Sequence, residues 1–411
     1  MNCRGCGQTL PPPFLDLGEA PASNAYLETL PAHGTEARYP LRLRVCHRCW
    51  LVQTEDYTPP TTLFPADYAY FSSASSSWLE HCREYCQTMR RELSLTPRSL
   101  VVEIACNDGY LLKNFVEAGI PCLGIEPTAA TAAAARRLGI PVREEFFGAR
   151  LARRLLGEGI EADLVLGNNV YAHVPDLADF TSGLALILRK GGTLTLEFPH
   201  LLRLLEECQF DTVYHEHFSY FSCRTARAML ERHGLKLLDA EKIRTHGGSL
   251  RLRVAHLDDP RQALPSVAQT EREEAEAGLF GEAPYREFQA RAVAVRDGFR
   301  EFLRQIRSEG KKIAGYGAAA KGNTLLNFSG VGREEISFVC DAAPSKQGKF
   351  LPGSHIPIRP PEVLRAEKPD ILLLFPWNLE KEVARQVSFL REWGGRLFVA
   401  VPKVREVALP A

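Results

Sequence analysis

Residues 101–112, "VVEIACNDGYLL", decide the fold of this chain. The first four are apolar apart from one acid, which is typical of a buried strand, and a tight turn and the start of a helix follow. Ala105, Asn107 and Gly109 occupy the turn, where small residues let a ligand approach the backbone. The stretch therefore predicts the strand–turn–helix unit that opens a nucleotide-binding α/β domain.

Acidic residues stand near the ends of the first two predicted strands. Glu103 lies at the end of the first, and "GIEP", residues 124–127, puts Glu126 and then Pro127 at the tip of the second. An acid at this tip accepts hydrogen bonds from both ribose hydroxyls. Dinucleotide sites share this layout, but a pyrophosphate needs more bare backbone than a turn with a single glycine offers. We therefore predict that S-adenosylmethionine binds here.

Strands and helices continue to alternate outward from this unit, as in a doubly wound sheet. Residues 162–176, "ADLVLGNNVYAHVPD", predict a fourth strand followed by a polar loop. Asn168 and Asn169 lie just past this strand, at the carboxyl edge where such sheets bind ligands. At these points the sequence resembles the class I methyltransferases.

A second α/β segment begins near residue 310, after a charged helical stretch. Residues 311–328, "KKIAGYGAAAKGNTLLNF", place small residues at a strand-to-helix turn, where amides suit a phosphate and Lys321 adds charge. A nicotinamide dinucleotide is the alternative ligand, with Asp341 as the available ribose acid. The predicted fold is α/β, with these parts: 1–72, a zinc-binding module; 73–258, an S-adenosylmethionine-binding methyltransferase domain; 259–309, a helical connector; 310–411, a C-terminal Rossmann-like domain.

Four cysteines near the N-terminus form two CxxC pairs, Cys3 with Cys6 and Cys46 with Cys49. Two-residue spacing lets both thiolates of a pair face one ion, and two pairs complete a tetrahedral shell. Because a closed shell leaves no position for water, we predict a structural zinc that helps to fold a segment with little core of its own.

The bulk composition excludes several function classes. Lys and Arg total 50, as do Asp and Glu, so no net charge favours nucleic acid or an acidic membrane. The apolar runs are too short to span a bilayer, and the N-terminus lacks the apolar stretch of a secretion signal. The scattered cysteines argue against a disulfide framework. We expect a cytoplasmic protein, monomeric or homodimeric.

Residues 213–222, "VYHEHFSYFS", crowd titratable and aromatic side chains together. His215 and His217 would share one face of a strand, so a metal site is one interpretation, although further ligands are not evident. A polar edge over a core is a second, and it suits His215 best. The third is acid–base chemistry, in which a histidine removes a proton acidified by a ketone.

These motifs together resemble those of the sugar C-methyltransferases, which add a methyl group at C-3′ of nucleotide-linked 4-keto-6-deoxysugars. The likeness extends over nearly the whole chain. It is carried by the CxxC pairs and by these stretches: "YFSSASSSW", "VVEIACNDGYLL", "GIEPT", "NNVYAHVPD", "EFPHL", "YHEHFSYFS", "HGGSLR", "YGAAAKGNTLLNF", "DAAPSKQGKFLPGSHIPI" and "PWN".

The resemblance implies a role for most of the candidate residues. His217 would be the base that removes the C-3′ proton, and the enolate would then attack the methyl group of S-adenosylmethionine. Tyr214 and Glu216 would line the sugar pocket, and Tyr70 would reach the sugar from the module. The remaining substrate-binding candidates are Asn169, His173, His246, Lys321 and Asn323. The nucleotide, expected to be dTDP, would lie on the C-terminal domain.

Two other functions fit parts of the sequence. An O- or N-methyltransferase acting on another small metabolite would share the cofactor site but would depend much less on His217. A zinc-module protein that binds a partner without catalysis is disfavoured by its neutral charge.

Overall fold

The computed structural model describes residues 1–30, 35–57, 63 and 71–410. Three sheets organise the chain, and helices cover the two larger ones. The strands are β1 Leu15–Ala20, β2 Tyr39–Val45, β3 Val52–Thr54, β4 Val101–Ile104, β5 Cys122–Ile125, β6 Val142–Arg143, β7 Ala162–Asn168, β8 Leu188–Pro199, β9 Ser219–Tyr220, β10 Leu235–Ile243, β11 Ser249–His256, β12 Ile313–Tyr316, β13 Val339–Cys340, β14 Ile358–Arg359, β15 Ile371–Leu374, β16 Arg396–Val399 and β17 Arg405–Val407.

The α-helices lie between these strands. They are α1 Ser76–Glu92, α2 Leu112–Glu117, α3 Ala129–Arg137, α4 Ala149–Gly157, α5 Leu177–Ile187, α6 Leu201–Glu206, α7 Cys223–Glu231, α8 Pro265–Glu276, α9 Ala283–Ser308, α10 Ala320–Ser329, α11 Val363–Glu367 and α12 Glu380–Gln386. Helix α1 begins at a serine cap, because the Ser75 hydroxyl accepts a hydrogen bond from the Trp78 amide.

The middle sheet has seven strands in the order β10-β11-β8-β7-β4-β5-β6. Strands β4 to β8 are parallel, and β11 runs antiparallel to both of its neighbours. Strands β4 and β7 are buried on both faces, which explains their nearly continuous apolar sequence. This confirms the predicted class I methyltransferase α/β fold and brings the ends of β4, β5 and β7 to one edge.

The C-terminal sheet has six strands in the order β14-β13-β12-β15-β16-β17, parallel except for β17. The turn between β12 and α10 lies where the order of the strands reverses direction, which is where open α/β sheets bind ligands. At this turn Gly317 has a φ of +88°, and a Cβ there would lie 2.4 Å from the Pro376 side chain. The turn therefore requires glycine.

The N-terminal sheet has the order β1-β2-β3-β9, and its last strand comes from the middle of the chain. Strand β9 pairs with β3 through Val52 with Tyr220 and Gln53 with Ser219. The residues that follow His217 therefore complete the sheet of the zinc module. Strand pairing thus joins the module to the middle of the chain.

Helix α9, within the predicted connector, also packs against the zinc module and the C-terminal domain. Its apolar face packs in one core with the N-terminal sheet and with the C-terminal domain. Phe14 of the module lies 5.0 Å from Tyr285 and 6.2 Å from Phe288, measured between ring centres. Phe302, farther along the helix, lies 4.9 Å from Phe398 of β16. The helix thus joins the first and last parts of the chain.

None of the helices in the described ranges is long and apolar enough to cross a bilayer.

Candidate active site

A cavity of about 1320 Å³ opens between the middle and C-terminal domains, beside the zinc module. Its walls combine Asn24 of the module, the carboxyl ends of β4, β5 and β7, and the turn before α10. The volume of the cavity exceeds the ~300–1,000 Å³ of a single small-molecule site, so there is room for a cofactor and a second ligand. The predicted site residues on its wall are Ala105, Asn107, Glu126, Pro127, Asn168, Asn169, His173, Tyr214, Glu216, His217, His246 and Lys321.

The carboxylate of Glu126 is held at the tip of β5. One oxygen accepts a hydrogen bond from the Asn107 amide at 2.9 Å, and the other accepts from the amide and hydroxyl of Thr128 at 3.0 and 2.5 Å. A carboxylate offers about four acceptor positions, so one remains for a ribose hydroxyl. The turn and the acid predicted from the sequence are therefore joined directly.

The backbone is unusual at several points around the cavity. Ala105, Asn107, Asn169 and His246 all have φ between +51° and +58°, a left-handed conformation that costs non-glycine residues free energy. Such conformations persist where the surrounding structure enforces them, and they cluster at ligand sites. Their grouping here supports the assignment of this cavity as the functional site.

Asn168 provides an independent sign of a missing ligand. Its side chain is 6% exposed, and neither its amide oxygen nor its nitrogen has a hydrogen-bond partner among the described residues. The amide oxygen of Asn169 is likewise buried and unpaired within the described part of the chain. Leaving buried polar atoms unpaired is costly, so these groups fit a polar cofactor at this edge.

Two of the predicted cofactor residues lie behind the cavity wall. Glu103 is fully buried under the turn, and burial raises the pKa of its carboxyl well above the ordinary value. Gly109 has a φ of +80°, and a Cβ there would lie 2.5 Å from Ile140 and 3.2 Å from Ala135. The close approach expected at Gly109 is therefore made by helix α3 and the residues after it. The structure gives neither Glu103 nor Gly109 direct access to a ligand.

His217 lies at the centre of an aromatic group. Its ring centre is 3.9 Å from that of Tyr214, 4.6 Å from that of His173 and 5.7 Å from that of Tyr220. The side chain is 5% exposed, and its residual surface faces the cavity. Three of the four residues in "YHEH" therefore reach the cavity wall.

The environment of His217 keeps its imidazole neutral. Burial lowers its pKa well below the ordinary value, and the charges of His173, Lys321 and His246 lower it further. A hydrogen bond to the Thr212 carbonyl assigns the ring proton to one nitrogen. The other nitrogen is then free to accept a proton, which is the state that a general base requires.

His215 has a different environment. It is buried away from the cavity, and its ring nitrogen hydrogen-bonds the Tyr39 carbonyl at 3.1 Å. The four N-terminal cysteines are the one group with metal-binding geometry in the described ranges, so the two histidines do not form a metal site there. His215 is therefore a buried residue of the core and is not part of the cavity wall.

Glu216 points into the site from the segment before β9. Burial raises the pKa of its carboxyl to about 7. One oxygen accepts a hydrogen bond from the Asn24 side chain at 2.8 Å, and the other is unpaired within the described chain. Sequence reasoning missed Asn24, because a loop asparagine 192 residues away carries no signal of this contact.

Lys321 enters the cavity from α10. Its ammonium group donates to the Asn378 side chain at 2.7 Å and lies 4.2 Å from the Trp377 ring centre. Burial lowers its pKa to about 8, and the nearby carboxylate of Asp211 opposes this shift. At neutral pH the group is still largely a cation and can interact with an anion.

A buried polar network supports the loop that carries His246. Glu197 of β8 accepts hydrogen bonds from Arg251 at 2.9 Å and from Thr245 at 3.0 Å, and it contacts His81 at 3.2 Å. His246 itself packs 4.9 Å from the Trp78 ring. The signal in the sequence was an acid inside an apolar strand, "TLTLEFP", which must be paired if it is buried.

Asn323 corrects an expectation. Its side chain is 1% exposed, does not line the cavity and donates a hydrogen bond to the Ser23 carbonyl at 2.5 Å. This bond ties α10 to the module. Tyr70, expected to reach the sugar, lies outside the described residues.

The first turn of the C-terminal domain is stabilised by Asp341 and Lys346. The two carboxylate oxygens of Asp341 accept hydrogen bonds from the amides of Ala318 and Ala343, each at 2.8 Å. The Lys346 ammonium donates to the Ala318 carbonyl at 2.8 Å, and both side chains line the cavity. Asp341 therefore holds the turn, and Lys346 adds a cation to which sequence reasoning gave no role.

The four cysteines come together as the spacing predicted. Their sulfur atoms all lie within 4.8 Å of one another, and Cys3 with Cys49 and Cys6 with Cys46 are each 3.5 Å apart. A tetrahedral zinc with sulfur bonds of about 2.3 Å places its ligands about 3.8 Å apart. The donor set and its size therefore fit a zinc ion.

The comparisons with known proteins agree with this architecture. Family models match three stretches: a zinc binding domain at residues 3–64, a methyltransferase domain at residues 78–240 and a C-methyltransferase C-terminal domain at residues 244–402. C-methyltransferase NovU of Streptomyces niveus is 36% identical over 407 residues, which are 99% of this chain and 97% of that protein. The chain belongs to this C-methyltransferase family. It is a methyltransferase that uses S-adenosylmethionine.

Two solved methyltransferase structures each cover less than half of this chain. Magnesium protoporphyrin IX methyltransferase from Synechocystis, with bound S-adenosylmethionine, covers 44% of this chain and 81% of its own at 17% identity and a TM-score of 0.34. A methyltransferase from Anabaena variabilis covers 49% of this chain and 96% of its own at 13% identity and a TM-score of 0.38. Likenesses this weak add nothing to the family assignment.

Proposed function

We propose that this C-methyltransferase transfers a methyl group to C-3′ of a nucleotide-linked 4-keto-6-deoxysugar, with His217 as the base. The observation that carries the proposal is a neutral, buried imidazole whose ring faces the same cavity as the unpaired amides of Asn168 and Asn169. A carbon acceptor needs a base of this kind, whereas a heteroatom acceptor needs one much less.

The proton that must be removed is made acidic by the neighbouring ketone. The unprotonated ring nitrogen of His217 accepts the C-3′ proton, and the bonding electrons move towards the C-4′ oxygen. S-adenosylmethionine supplies an electrophilic methyl group on a sulfonium sulfur. With the cofactor bound, C-3′ would bond to that methyl carbon as the sulfur–methyl bond breaks, which would leave S-adenosylhomocysteine as the second product.

The chain's remaining task is to hold the sugar and its developing charge. Tyr214, Glu216 and His173 border His217 and would orient the ring through hydrogen bonds to its oxygens. The Lys321 ammonium lies on the wall of the same cavity as His217. A fixed cation at this place favours an enolate over the neutral ketone.

The substrate's nucleotide, which we take to be dTDP, would lie against the C-terminal domain. The amides at the start of α10 and the buried Lys346 offer a positive site for a diphosphate at the same cavity. The name of the relative, C-methyltransferase NovU, supports the reaction class. The zinc would be structural, since its four cysteine ligands leave no open position.

We also propose a cytoplasmic location. None of the eleven cysteines, which all lie in the described ranges, forms a disulfide, and cysteines remain unpaired in a reducing compartment.

The proposal is tested by incubating purified protein and labelled S-adenosylmethionine with a panel of nucleotide-linked 4-ketosugars. The product is read by mass and by NMR at the methylated carbon. We expect a new carbon–carbon bond at C-3′; a methyl group on oxygen or nitrogen contradicts the proposal.

His217→Asn is the matching variant. Asparagine preserves a polar side chain but cannot act as a base, so turnover should fall by about 10²–10⁴-fold while binding of S-adenosylmethionine is unchanged. His215→Asn, a histidine two residues away that is buried against Tyr39, is the control and should keep most of the activity. Near wild-type rates in His217→Asn would remove this residue as the base.

A further inference from the structure

The zinc module contacts the segment that carries His217 at two successive carbonyl groups. The Thr54 hydroxyl donates to the His217 carbonyl at 3.0 Å. The Arg4 guanidinium donates to the Phe218 carbonyl at 2.8 Å and lies over the Phe218 ring at 5.3 Å. These donors belong to residues 163 and 214 positions away, so only the folded module brings them here.

Arg4 is in turn fixed by the zinc-binding pairs. It stands between Cys3 and Cys6, and its own amide donates to the Gln53 side chain at 3.0 Å. Gln53 also donates to the Cys3 sulfur at 3.3 Å, so one side chain joins this cysteine of the cluster to the arginine. The guanidinium further bonds the Thr54 carbonyl at 2.9 Å and pairs with Asp56.

The side chain of Arg4 is 6% exposed, and its bonds to the Thr54 and Phe218 carbonyls are partly buried. A planar guanidinium holds several acceptors in a fixed geometry, whereas a lysine holds them as a flexible point charge. The backbone of residues 217 and 218 is therefore anchored to a rigid group, and β9 extends the same anchoring by pairing with β3.

We propose that Arg4, together with Thr54, is a positioning residue that sets where the His217 ring stands in the cavity. The inference rests on the proposed role of His217. It assigns the zinc a second effect, because an ion that orders Cys3 and Cys6 also orders the arginine between them. Displacing a catalytic group by about 1 Å can cost roughly 10²-fold in rate, so such anchoring matters for turnover.

Two variant pairs test this proposal in the full-length, zinc-loaded protein. Arg4→Met removes the guanidinium, and Arg48→Met makes the same change at an exposed residue inside the other CxxC pair. Thr54→Val removes only a hydroxyl at nearly constant volume, while Thr54→Ser retains it. The Thr54 pair keeps the test informative if Arg4→Met folds poorly.

The measurements are zinc content, affinity for S-adenosylmethionine, kcat and KM, and hydrogen–deuterium exchange of the peptide that contains His217. We expect Arg4→Met to retain zinc and cofactor affinity, to lower kcat about 10- to 100-fold with a nearly constant KM, and to speed exchange across residues 213–221. Thr54→Val should show the same pattern more weakly, and Thr54→Ser and Arg48→Met should match the wild type.

Wild-type kcat and exchange in both Arg4→Met and Thr54→Val would overturn the inference. So would equal losses of zinc, cofactor affinity and activity, because these would show a general role in folding. The exchange measurement needs no substrate, so it tests the anchoring by Arg4 and Thr54 independently of the proposed methylation reaction. If no ketosugar is methylated but the exchange still changes, the proposed function fails and the anchoring stands.

Discussion

At the scale of single residues, the site is defined by groups whose charge the fold controls. His217 is kept neutral, Lys321 is kept only weakly basic, and Glu216 is kept partly protonated near neutral pH. Each shift has burial as its largest cause. A ligand that enters the cavity beside His217 therefore meets a neutral imidazole, and the ammonium of Lys321 on the same wall is suited to an anionic group.

Glu216 leads to a prediction about pH and stability. Its pKa is raised from 4.5 to about 7, so the folded protein holds a proton that the unfolded chain releases above pH 4.5. The protonated carboxyl therefore makes its full contribution to stability below pH 4.5. This contribution is lost as the pH rises from 4.5 through 7, and the free energy of unfolding falls by about 3 kcal/mol. Glu216→Gln should remove this dependence and be more stable than the wild type at pH 8.

Urea unfolding at pH 5 and pH 8 measures this effect. Glu334→Gln is the control, since Glu334 is exposed and should show no pH-dependent difference from the wild type. A difference between Glu216→Gln and the wild type that stays constant from pH 5 to pH 8 would contradict the assigned pKa.

At the scale of secondary-structure elements, helix α9 decides how the parts are held together. Its buried residues face the module on one side and the C-terminal sheet on the other. The cavity lies between these same parts, so its shape depends on a helix that contributes no side chain to its wall.

Phe288→Ala tests the role of α9. The side chain is fully buried against Phe14, so its removal should cost about 3–5 kcal/mol of unfolding free energy. Glu287→Ala, one residue earlier and exposed, should change stability by less than about 0.5 kcal/mol. Chemical denaturation of both variants gives the comparison, and equal values would show that the shared core is not important for stability.

The helices and strands also show where sequence patterns are reliable. The strand–turn–helix at residues 101–117 and the strand with Glu126 at its tip were predicted correctly, since apolar runs and turn residues are local signals. The family models divide the last two domains near residue 244, although β10 and β11 on either side of that point pair in one sheet. The domain boundaries proposed from the sequence keep both strands together.

At the scale of the whole molecule, the zinc module is part of the enzyme's core. Its sheet takes its fourth strand from the middle of the chain, and its Asn24 enters the cavity. Loss of the metal should therefore affect more than the zinc module itself.

Metal removal tests this integration. Cys46→Ser should lose most of its zinc, because three ligands cannot close the shell, and should unfold at a lower temperature. Cys208→Ser changes a cysteine outside the cluster and should retain about one zinc per chain. Metal analysis and thermal unfolding give both results; full zinc occupancy in Cys46→Ser would overturn the four-cysteine assignment.

The sequence by itself determined the elements whose signals are short-ranged. Two-residue spacing was enough to predict that the cysteines converge, and a strand followed by small turn residues was enough to predict the cofactor edge. The crowded histidines marked His217 as a candidate, because titratable groups in an apolar stretch are costly unless they serve a purpose.

Only the tertiary structure decided which of these groups meet. Asn24 reaches Glu216, Arg4 reaches the backbone beside His217, and Asn323 turns away from the cavity to Ser23. Such contacts join positions more than 190 residues apart, so no local periodicity encodes them. They arise because three sheets pack against one another, and that packing depends on the complementary shapes of buried side chains throughout the chain.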